Sequence, residues 1–400
     1  MRRILTFLLC GMLLSGSAAA QGLLHRAVPD LGFGHLERNA IRFPAGKSED
    51  FSLFLRKLDT LMLSDRGNVR ILHVGGSHVQ GGMWTDQLRR NLLSLRYGMD
   101  GGRGLVFPFA AAGTNTPSGY RSSATGSWTS TRCLHPEEVL GVTGMAVSTA
   151  DTSATVTISL AADDAKPWDI RYMVRSVEVL GYGDLEPVLL MGRDTVRGRA
   201  QGEGWHFDLP HYTDYVSLGF RGFPGRFTLT GLYLDRPSAG LTVSEAGVNG
   251  AATSSWLQCD DFERDLRLVA PDLVIFSVGI NDIQGKSFDK DRFERNYGDL
   301  VKMVHRVNPH CAILFTTNND SWKNRTPNRF GIDSREAFTD LARRHGAGLW
   351  DLFDIMGGLG SMDSWVQAGL ARPDHVHFTR EGYTLLGNLL FNALMDCYAP

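Results

Sequence analysis

The sequence predicts an α/β fold, a three-layer domain with a five-stranded parallel sheet that is interrupted by an all-β sandwich. Apolar strands alternate with helical patterns in residues 68–100 and again from residue 240 onwards, as in sheets joined by helical crossovers. Between about residues 124 and 239 helical patterns are missing, and short runs with two-residue alternation replace them. Because this stretch falls between the first and second parallel strands, we interpret it as an insertion.

The parallel strands are predicted from short apolar runs that end at glycine or polar residues. "PDLVIFSVG" is apolar almost throughout, as expected of a central strand covered on both faces. Helical spacing follows in segments such as "MWTDQLRRNLLSLRYG" and "TREGYTLLGNLLFNALMDC". The five strands are predicted at 70–75, 241–245, 272–278, 311–317 and 347–351. The α/β domain would then consist of two segments, 21–123 and 240–400.

The inserted segment, residues 124–239, has the sequence pattern of an antiparallel sandwich. Runs such as "ATVTISL", "DYVSLGF" and "RFTLTGLYLD" alternate apolar and polar residues and are separated by turn signals. Its aromatic residues could fill the sandwich core or stack on sugar rings, and the sequence leaves both interpretations open. They are Trp128, Trp168, Tyr172, Trp205, Tyr212 and Tyr215.

The first twenty residues predict a secretory signal peptide. "MRRILTFLLCGMLLSGSAAAQ" has two arginines, a short apolar stretch and a small-residue end, so we expect cleavage before Gln21. The apolar stretch is shorter than the roughly 20 residues that a membrane span needs, and no stable membrane span is expected. We therefore predict a periplasmic or extracellular protein.

Composition and cysteine content narrow the classes of partner. Of the 400 residues 43% are hydrophobic and 21% charged, and the formal net charge is −2, which gives no reason to expect a nucleic-acid partner. Beyond the leader the cysteines are widely spaced, so no CxxC metal pair exists, and either two disulfides or free thiols fit. They are Cys133, Cys259, Cys311 and Cys397.

Polar residues follow the predicted parallel strands at the points where those strands end. Because carboxyl ends of parallel strands share one edge of the sheet, these residues should gather there. Ser77 and His78 follow the first strand, Asn249 and Gly250 the second, and Asn281 and Asp282 the third. Asp374, His375 and His377 come after the last strand and a helical connection.

Acyl transfer requires this combination of groups. A serine becomes a nucleophile when a histidine takes its proton, a carboxylate orients that histidine, and N–H donors stabilise the oxyanion. Each motif also has an ordinary alternative: "GGS" alone favours a turn, "GIND" an Asx turn, and "DHVH" a capping turn or a metal site with Asp282. The ordered set of four motifs favours catalysis, without a metal or other cofactor.

The ordered set resembles the SGNH hydrolases, also called GDSL esterases and lipases, over residues 68–100 and 240–396. The resemblance implies a flavodoxin-like domain in which Ser77 is the nucleophile, His377 the base and Asp374 its orienting acid. The N–H groups of Ser77 and Gly250 and the Asn281 amide would form the oxyanion hole. The family's usual Gly-Asp-Ser is here Gly75-Gly76-Ser77, and glycine at 76 can adopt backbone angles that aspartate resists, which still allows the serine to be presented.

The "GGSH" and "GVNGA" motifs with an inserted sandwich further resemble the peptidoglycan O-acetylesterase branch. This implies a secreted serine esterase that removes acetyl groups from peptidoglycan or another polysaccharide, with a carbohydrate-binding insertion. His78 and Asn249 are candidate substrate contacts, while His375 is expected to be structural. The alternatives are a carbohydrate-binding protein with a decayed site, an O-acetyltransferase and a lipase.

Overall fold

The computed structural model describes residues 25–160, 173–202, 204–222 and 224–398. The predicted signal peptide lies outside the described residues, as do Trp168 and Tyr172. The strands are β1 Ile41–Arg42, β2 Asn68–Gly75, β3 Gly104–Val106, β4 Arg121–Thr125, β5 Thr129–Arg132, β6 Met145–Thr149, β7 Thr155–Ser159, β8 Val174–Gly183, β9 Glu186–Met191, β10 Asp194–Arg197, β11 Arg199–Gln201, β12 Gly204–Thr213, β13 Tyr215–Arg221, β14 Phe227–Asp235, β15 Gly240–Gly247, β16 Leu273–Ser277, β17 Ala312–Thr316, β18 Trp322–Lys323, β19 Thr326–Pro327 and β20 Gly348–Trp350. The α-helices are α1 Glu49–Ser64, α2 Ser77–Gln80, α3 Met83–Leu93, α4 Thr253–Trp256, α5 Phe262–Val269, α6 Ile280–Ile283, α7 Lys290–Val307, α8 Phe330–His345, α9 Leu352–Ile355, α10 Met362–Gln367 and α11 Arg380–Tyr398.

The central sheet has six strands in the order β1-β20-β17-β16-β2-β15. β20, β17, β16, β2 and β15 are parallel to their neighbours and match the positions predicted for the five parallel strands. β1 adds an antiparallel edge, where Ile41 pairs with Trp350. The prediction of a purely parallel five-stranded sheet is therefore not confirmed. A two-residue strand carries no periodic signal, which is why the sequence did not indicate β1.

The central sheet separates two hydrophobic clusters, because alternate side chains of a strand point to opposite faces. On β2, Leu72 and Val74 belong to one cluster, whereas Val69 and Ile71 belong to the other. α5, α7 and α8 contribute buried side chains to the first cluster, and α1, α3 and α11 contribute to the second. This arrangement gives the three layers that alternating strands and helices predict.

The β region, which we define as strands β3–β14, forms two antiparallel sheets. One has the order β10-β9-β13-β7-β4, and the other runs β11-β12-β8-β14-β6-β5, with β3 also paired to β14. Buried side chains of both sheets lie in the same cluster that covers one face of β2. β3 precedes residue 124, the predicted start of the insertion.

Three further features of the structure are the state of the cysteines, the apolar character of the helices and the division of one helical segment. Cys133, Cys259, Cys311 and Cys397 are free thiols, and the first three are buried. Within the described residues, no helix combines the length and apolar character needed to cross a bilayer. The segment "AATSSWLQCDDFERDLRLV" forms two separate helices, α4 and α5.

Candidate active site

Ser77 begins α2 directly after β2, and two close contacts fix this turn. A Cβ on Gly75 would lie 2.2 Å from the Val79 side chain, and a Cβ on Gly247 would lie 2.2 Å from the backbone nitrogen of Gln80. Glycine at both positions lets α2 pack directly on the ends of β2 and β15. The backbone carbonyl of Gly76 accepts from the N–H groups of Val79 and Gln80, so Ser77 sits at the start of this short helix.

Ser77, His377 and Asp374 form a continuous hydrogen-bonded chain. Ser77 Oγ lies 2.8 Å from His377 Nε2, and His377 Nδ1 lies 2.9 Å from Asp374 Oδ2. The other carboxylate oxygen, Oδ1, accepts from the N–H groups of Val376 and His377, each at 2.9 Å. Partial burial raises the pKa of Asp374, but the hydrogen bonds from His377 and Val376 outweigh it and hold that pKa below its usual value. The carboxylate therefore stays ionised and can orient the imidazole.

Two further loops bring donors to the same cleft. Gly250 follows β15 with φ +84°, a left-handed conformation that favours glycine, and Asn281 lies in α6 after β16. Asn281 Nδ2 donates to the backbone oxygen of Ala251 at 2.9 Å, which leaves its second amide hydrogen for another acceptor. Ser77, Gly250, Asn281 and His377 all line one open cleft of about 700 Å³. This combination of nucleophile, base and donors suits cleavage of an ester.

A family model described as GDSL-like Lipase/Acylhydrolase matches residues 211–385, from β12 into α11. The match includes Gly250, Asn281, Asp374 and His377, and the fold adds Ser77 to them. No match was found among the curated proteins. The chain is an ester hydrolase that is similar to this family over those residues. The predicted resemblance to this superfamily is thereby confirmed.

One solved structure extends this similarity to most of the chain. A peptidoglycan O-acetylesterase is 25% identical with a TM-score of 0.74, and the alignment covers 86% of this chain and 95% of that chain. The aligned 86% of this chain is more than the two α/β segments contain together, so the similarity extends into the β region. A lipase/acylhydrolase from Enterococcus faecalis is 21% identical with a TM-score of 0.30 and covers 40% of this chain and 76% of that chain. A family two carbohydrate esterase from Cellvibrio japonicus is 11% identical with a TM-score of 0.31 and covers 70% of this chain and 99% of that chain.

Gly76 of the hydrolase, which stands where the family usually has aspartate, does not need glycine for its backbone angles. Its φ is −90° and its ψ is −143°, so its backbone lies outside the left-handed region that favours glycine. Space is the constraint instead, because a Cβ on Gly76 would lie 3.2 Å from Asn281 Nδ2. A side chain at position 76 would therefore press against the amide that faces the cleft.

His78 is buried behind the base and does not line the cleft. Its ring lies 5.1 Å from that of His377, and its Nδ1 lies 2.8 Å from the hydroxyl of Tyr383. Burial, followed by the nearby charge of His377, lowers the pKa of His78 to about 3, so the ring is neutral at ordinary pH. A neutral His78 ring places no positive charge beside the ring of His377.

Asn249 does line the cleft, and its partners were not indicated by the sequence. Its backbone N–H donates to Gln80 Oε1 at 2.7 Å, and its Nδ2 donates to Asn115 Oδ1 at 2.8 Å. Gln80 in turn donates to the backbone oxygen of Asn115 at 3.2 Å. These three residues tie the loop before β4 to the cleft. The one available signal was the position of Gln80, three residues after Ser77 on the same side of a helix.

The residues of the alternative metal site are engaged elsewhere. Asp282 accepts from the hydroxyl of Thr253 at 2.6 Å, and burial raises its pKa despite these hydrogen bonds. His375 stacks on Trp322 at 4.0 Å between ring centroids, and its Nε2 lies 3.3 Å from Asp363. Across residues 25–398, wherever the structure describes them, no three ligand-type side chains converge on a common point. His375 therefore orders its loop, as expected.

The candidate sugar-stacking aromatics divide into two groups. Trp128 and Trp205 pack against the hydrophobic cluster of the β region, as core-filling residues do. Tyr212 and Tyr215 are 49% and 40% exposed and lie where β12 passes into β13. Of the six candidate aromatics, four lie in the described residues, and these two tyrosines are the ones exposed enough to contact a polymer.

Proposed function

We propose that the hydrolase removes O-acetyl groups from peptidoglycan or another polysaccharide outside the cytoplasm through an acyl-enzyme intermediate. The observation that supports it most strongly is the hydrogen-bonded chain from Ser77 through His377 to Asp374. The likeness to a peptidoglycan O-acetylesterase favours an acetylated glycan as substrate. The signal-like first twenty residues favour the periplasm or the extracellular space.

In the acylation step, Ser77 Oγ attacks the acetyl carbonyl while its proton moves to His377 Nε2. Asp374 accepts the Nδ1 hydrogen bond and stabilises the imidazolium that results. The N–H groups of Ser77 and Gly250 and the Asn281 amide donate hydrogen bonds to the former carbonyl oxygen and stabilise its negative charge. When this intermediate collapses, the carbon–oxygen bond to the sugar breaks, and His377 returns the proton to the departing sugar hydroxyl.

In the deacylation step, water takes the place of the sugar. His377 removes a proton from the water, which attacks the acetyl carbon on Ser77, and the same three donors meet the second oxyanion. Collapse releases acetate and returns the proton to Ser77. The cleft is open enough for a polymer to approach and depart, since it is a groove of about 700 Å³ and not an enclosed cavity.

Replacing Ser77 with alanine tests the proposal. We expect hydrolysis of 4-nitrophenyl acetate and release of acetate from O-acetylated peptidoglycan to fall by more than about 10³-fold, because no nucleophile remains. Ser64→Ala is the matched control, since Ser64 is exposed at the end of α1 and only bonds to the backbone oxygen of Thr60. Circular dichroism should report the same fold for both variants. Full activity in the folded Ser77 variant would refute the proposal.

A further inference from the structure

The cleft beside Ser77 has an uneven distribution of charge. Its walls carry mostly neutral polar groups, including Asn115, Thr116, Ser118 and Gln284. The basic side chains that accompany His377 among the described lining residues are Arg372 and Arg380, and no carboxylate is among those lining residues. An ester that enters this cleft therefore meets two full positive charges, while the nearby Asp374 carboxylate is hydrogen-bonded to His377 and does not line the cleft.

Neither arginine has an internal partner. Among the described residues, no ion pair or side-chain hydrogen bond engages the guanidinium of Arg372 or Arg380, and both side chains are exposed. The buried arginines Arg89 and Arg103 are paired instead, as Arg103 with Glu245 at 2.6 Å. Ten guanidinium N–H donors at the cleft are thus free to bind an anion, five on each side chain.

The backbone holds both arginines close to the base. The Arg372 N–H donates to the backbone oxygen of His377 at 2.8 Å, and the Arg372 carbonyl accepts from His375 at 3.0 Å. Arg380 begins α11 three residues after His377. The nine residues 372–380 therefore supply Asp374, His377 and both arginines, so both cationic side chains start from backbone next to His377.

We propose that Arg372 and Arg380 form a carboxylate subsite, so that the hydrolase prefers acetyl esters on anionic sugars. This inference rests on the proposed function. A guanidinium matches a carboxylate geometrically through two parallel hydrogen bonds, which an uncharged sugar cannot offer. Positive charge in a cleft also raises the rate at which anionic substrates arrive.

Two probes that differ only in charge test the subsite. They are the methyl glycoside of 6-O-acetyl-N-acetylmuramic acid, with a free lactyl carboxylate, and the methyl ester of that same compound. We expect kcat/KM for the acid to exceed that for the ester by about tenfold, the size of a charged hydrogen bond. The ratio should fall towards one as salt is added, because exposed charges are screened.

The variants localise the effect. In the double variant Arg372→Gln/Arg380→Gln the acid-to-ester ratio should drop to about one. In the matched control Arg66→Gln it should stay at the wild-type value, since Arg66 is exposed near the opposite end of β2. The ratio compares two substrates on one protein sample, so partial unfolding of a variant does not alter it.

Several results would overturn the inference. Equal kcat/KM for both probes in the wild-type protein, a ratio insensitive to salt, or a ratio retained in the double variant would each contradict the subsite. If Ser77 is required for both probes while the ratio is one, the proposed function stands and the subsite falls. If neither probe requires Ser77, the proposed function itself falls.

Discussion

The α/β part and the β region use their polar side chains differently. In the β region hydroxyl groups pair across neighbouring strands, as Thr125 with Thr155 at 2.8 Å and Ser148 with Thr228 at 2.9 Å. At the carboxyl edge of the parallel strands, Ser77 instead faces a base that is 300 residues away in sequence. Antiparallel strands alternate in direction and divide their loops between two ends, whereas parallel strands bring every following loop to one edge.

This difference separates two tasks within one chain. The α/β part holds the groups that we propose break the ester bond, and its effects should appear with any ester, however small. The β region offers exposed tyrosines rather than a nucleophile and base, and its effects should appear only with a polymer. The following predictions test that separation, in order of decreasing expected effect.

The largest effect is expected at Asp374. Asp374→Asn keeps the size of the side chain but removes the charge that stabilises the imidazolium, so kcat for 4-nitrophenyl acetate should fall by about 10³–10⁴-fold. Asp363→Asn is the matched control, because Asp363 contacts His375 and not His377. A kcat near the wild-type value in Asp374→Asn would show that His377 works without this carboxylate.

The next effect is expected at Asn281. Asn281→Ala removes one oxyanion donor, so kcat should fall by about 10²–10³-fold with little change in KM, since the donor acts mainly in the transition state. Steady-state kinetics with 4-nitrophenyl acetate measure both constants. Thermal unfolding provides the control for folding. A change confined to KM would instead indicate a role in ground-state binding.

A smaller effect concerns stability below neutral pH. Burial lowers the pKa of His73 to about 3, while its ring bonds to Thr85 and Ser277 at 2.8 and 2.7 Å. Below about pH 6.5, His73 is protonated in the unfolded chain but stays neutral in the folded protein. The folding stability that is present above that pH is therefore lost as the pH falls towards 3. We expect His73→Asn to reduce the slope of unfolding free energy against pH, between pH 4 and 6, by about 1.4 kcal/mol per pH unit.

Urea unfolding at several pH values measures that slope. The buried His78 also has a pKa lowered to about 3, so the His73 variant should retain part of the pH dependence. Identical slopes in the variant and the wild-type protein would mean that His73 is protonated in the folded state.

The smallest effect is expected in the β region. Tyr212→Ala/Tyr215→Ala should weaken binding to insoluble O-acetylated peptidoglycan by about two- to tenfold, the size of one or two aromatic contacts. Hydrolysis of 4-nitrophenyl acetate should not change. Tyr97→Ala is the control, because Tyr97 is exposed in the α/β part. Cosedimentation measures the binding. Equal binding by the wild-type protein, the double variant and the control would show that the two tyrosines do not contribute to polymer binding.

The sequence predicted the parts of the fold that have periodic signals. Long apolar runs such as β16 and amphipathic helices such as α7 were predicted because burial imposes a repeating pattern on them. β1 and β3 were not predicted. Their pairing depends on strands far away in sequence.

The residues of the candidate site likewise fall into those that the sequence predicted and those that it did not. Ser77, Asn281, Asp374 and His377 were predicted because parallel strand ends share an edge, and they do line or adjoin one cleft. Gln80 and Arg372 were not predicted, because their roles depend on distances that the sequence does not contain. Gly76 shows the same limit: its closeness to the Asn281 amide is a contact across two loops.

Labelling of Ser77 by a fluorophosphonate tests the central claim most directly. This reagent phosphonylates a serine that a neighbouring base activates, and peptide mass spectrometry identifies the modified residue. We predict one label per chain on the Ser77 peptide, loss of esterase activity in proportion to labelling, and no label in His377→Ala. Full esterase activity after exposure, with Ser77 unmodified, would contradict the account.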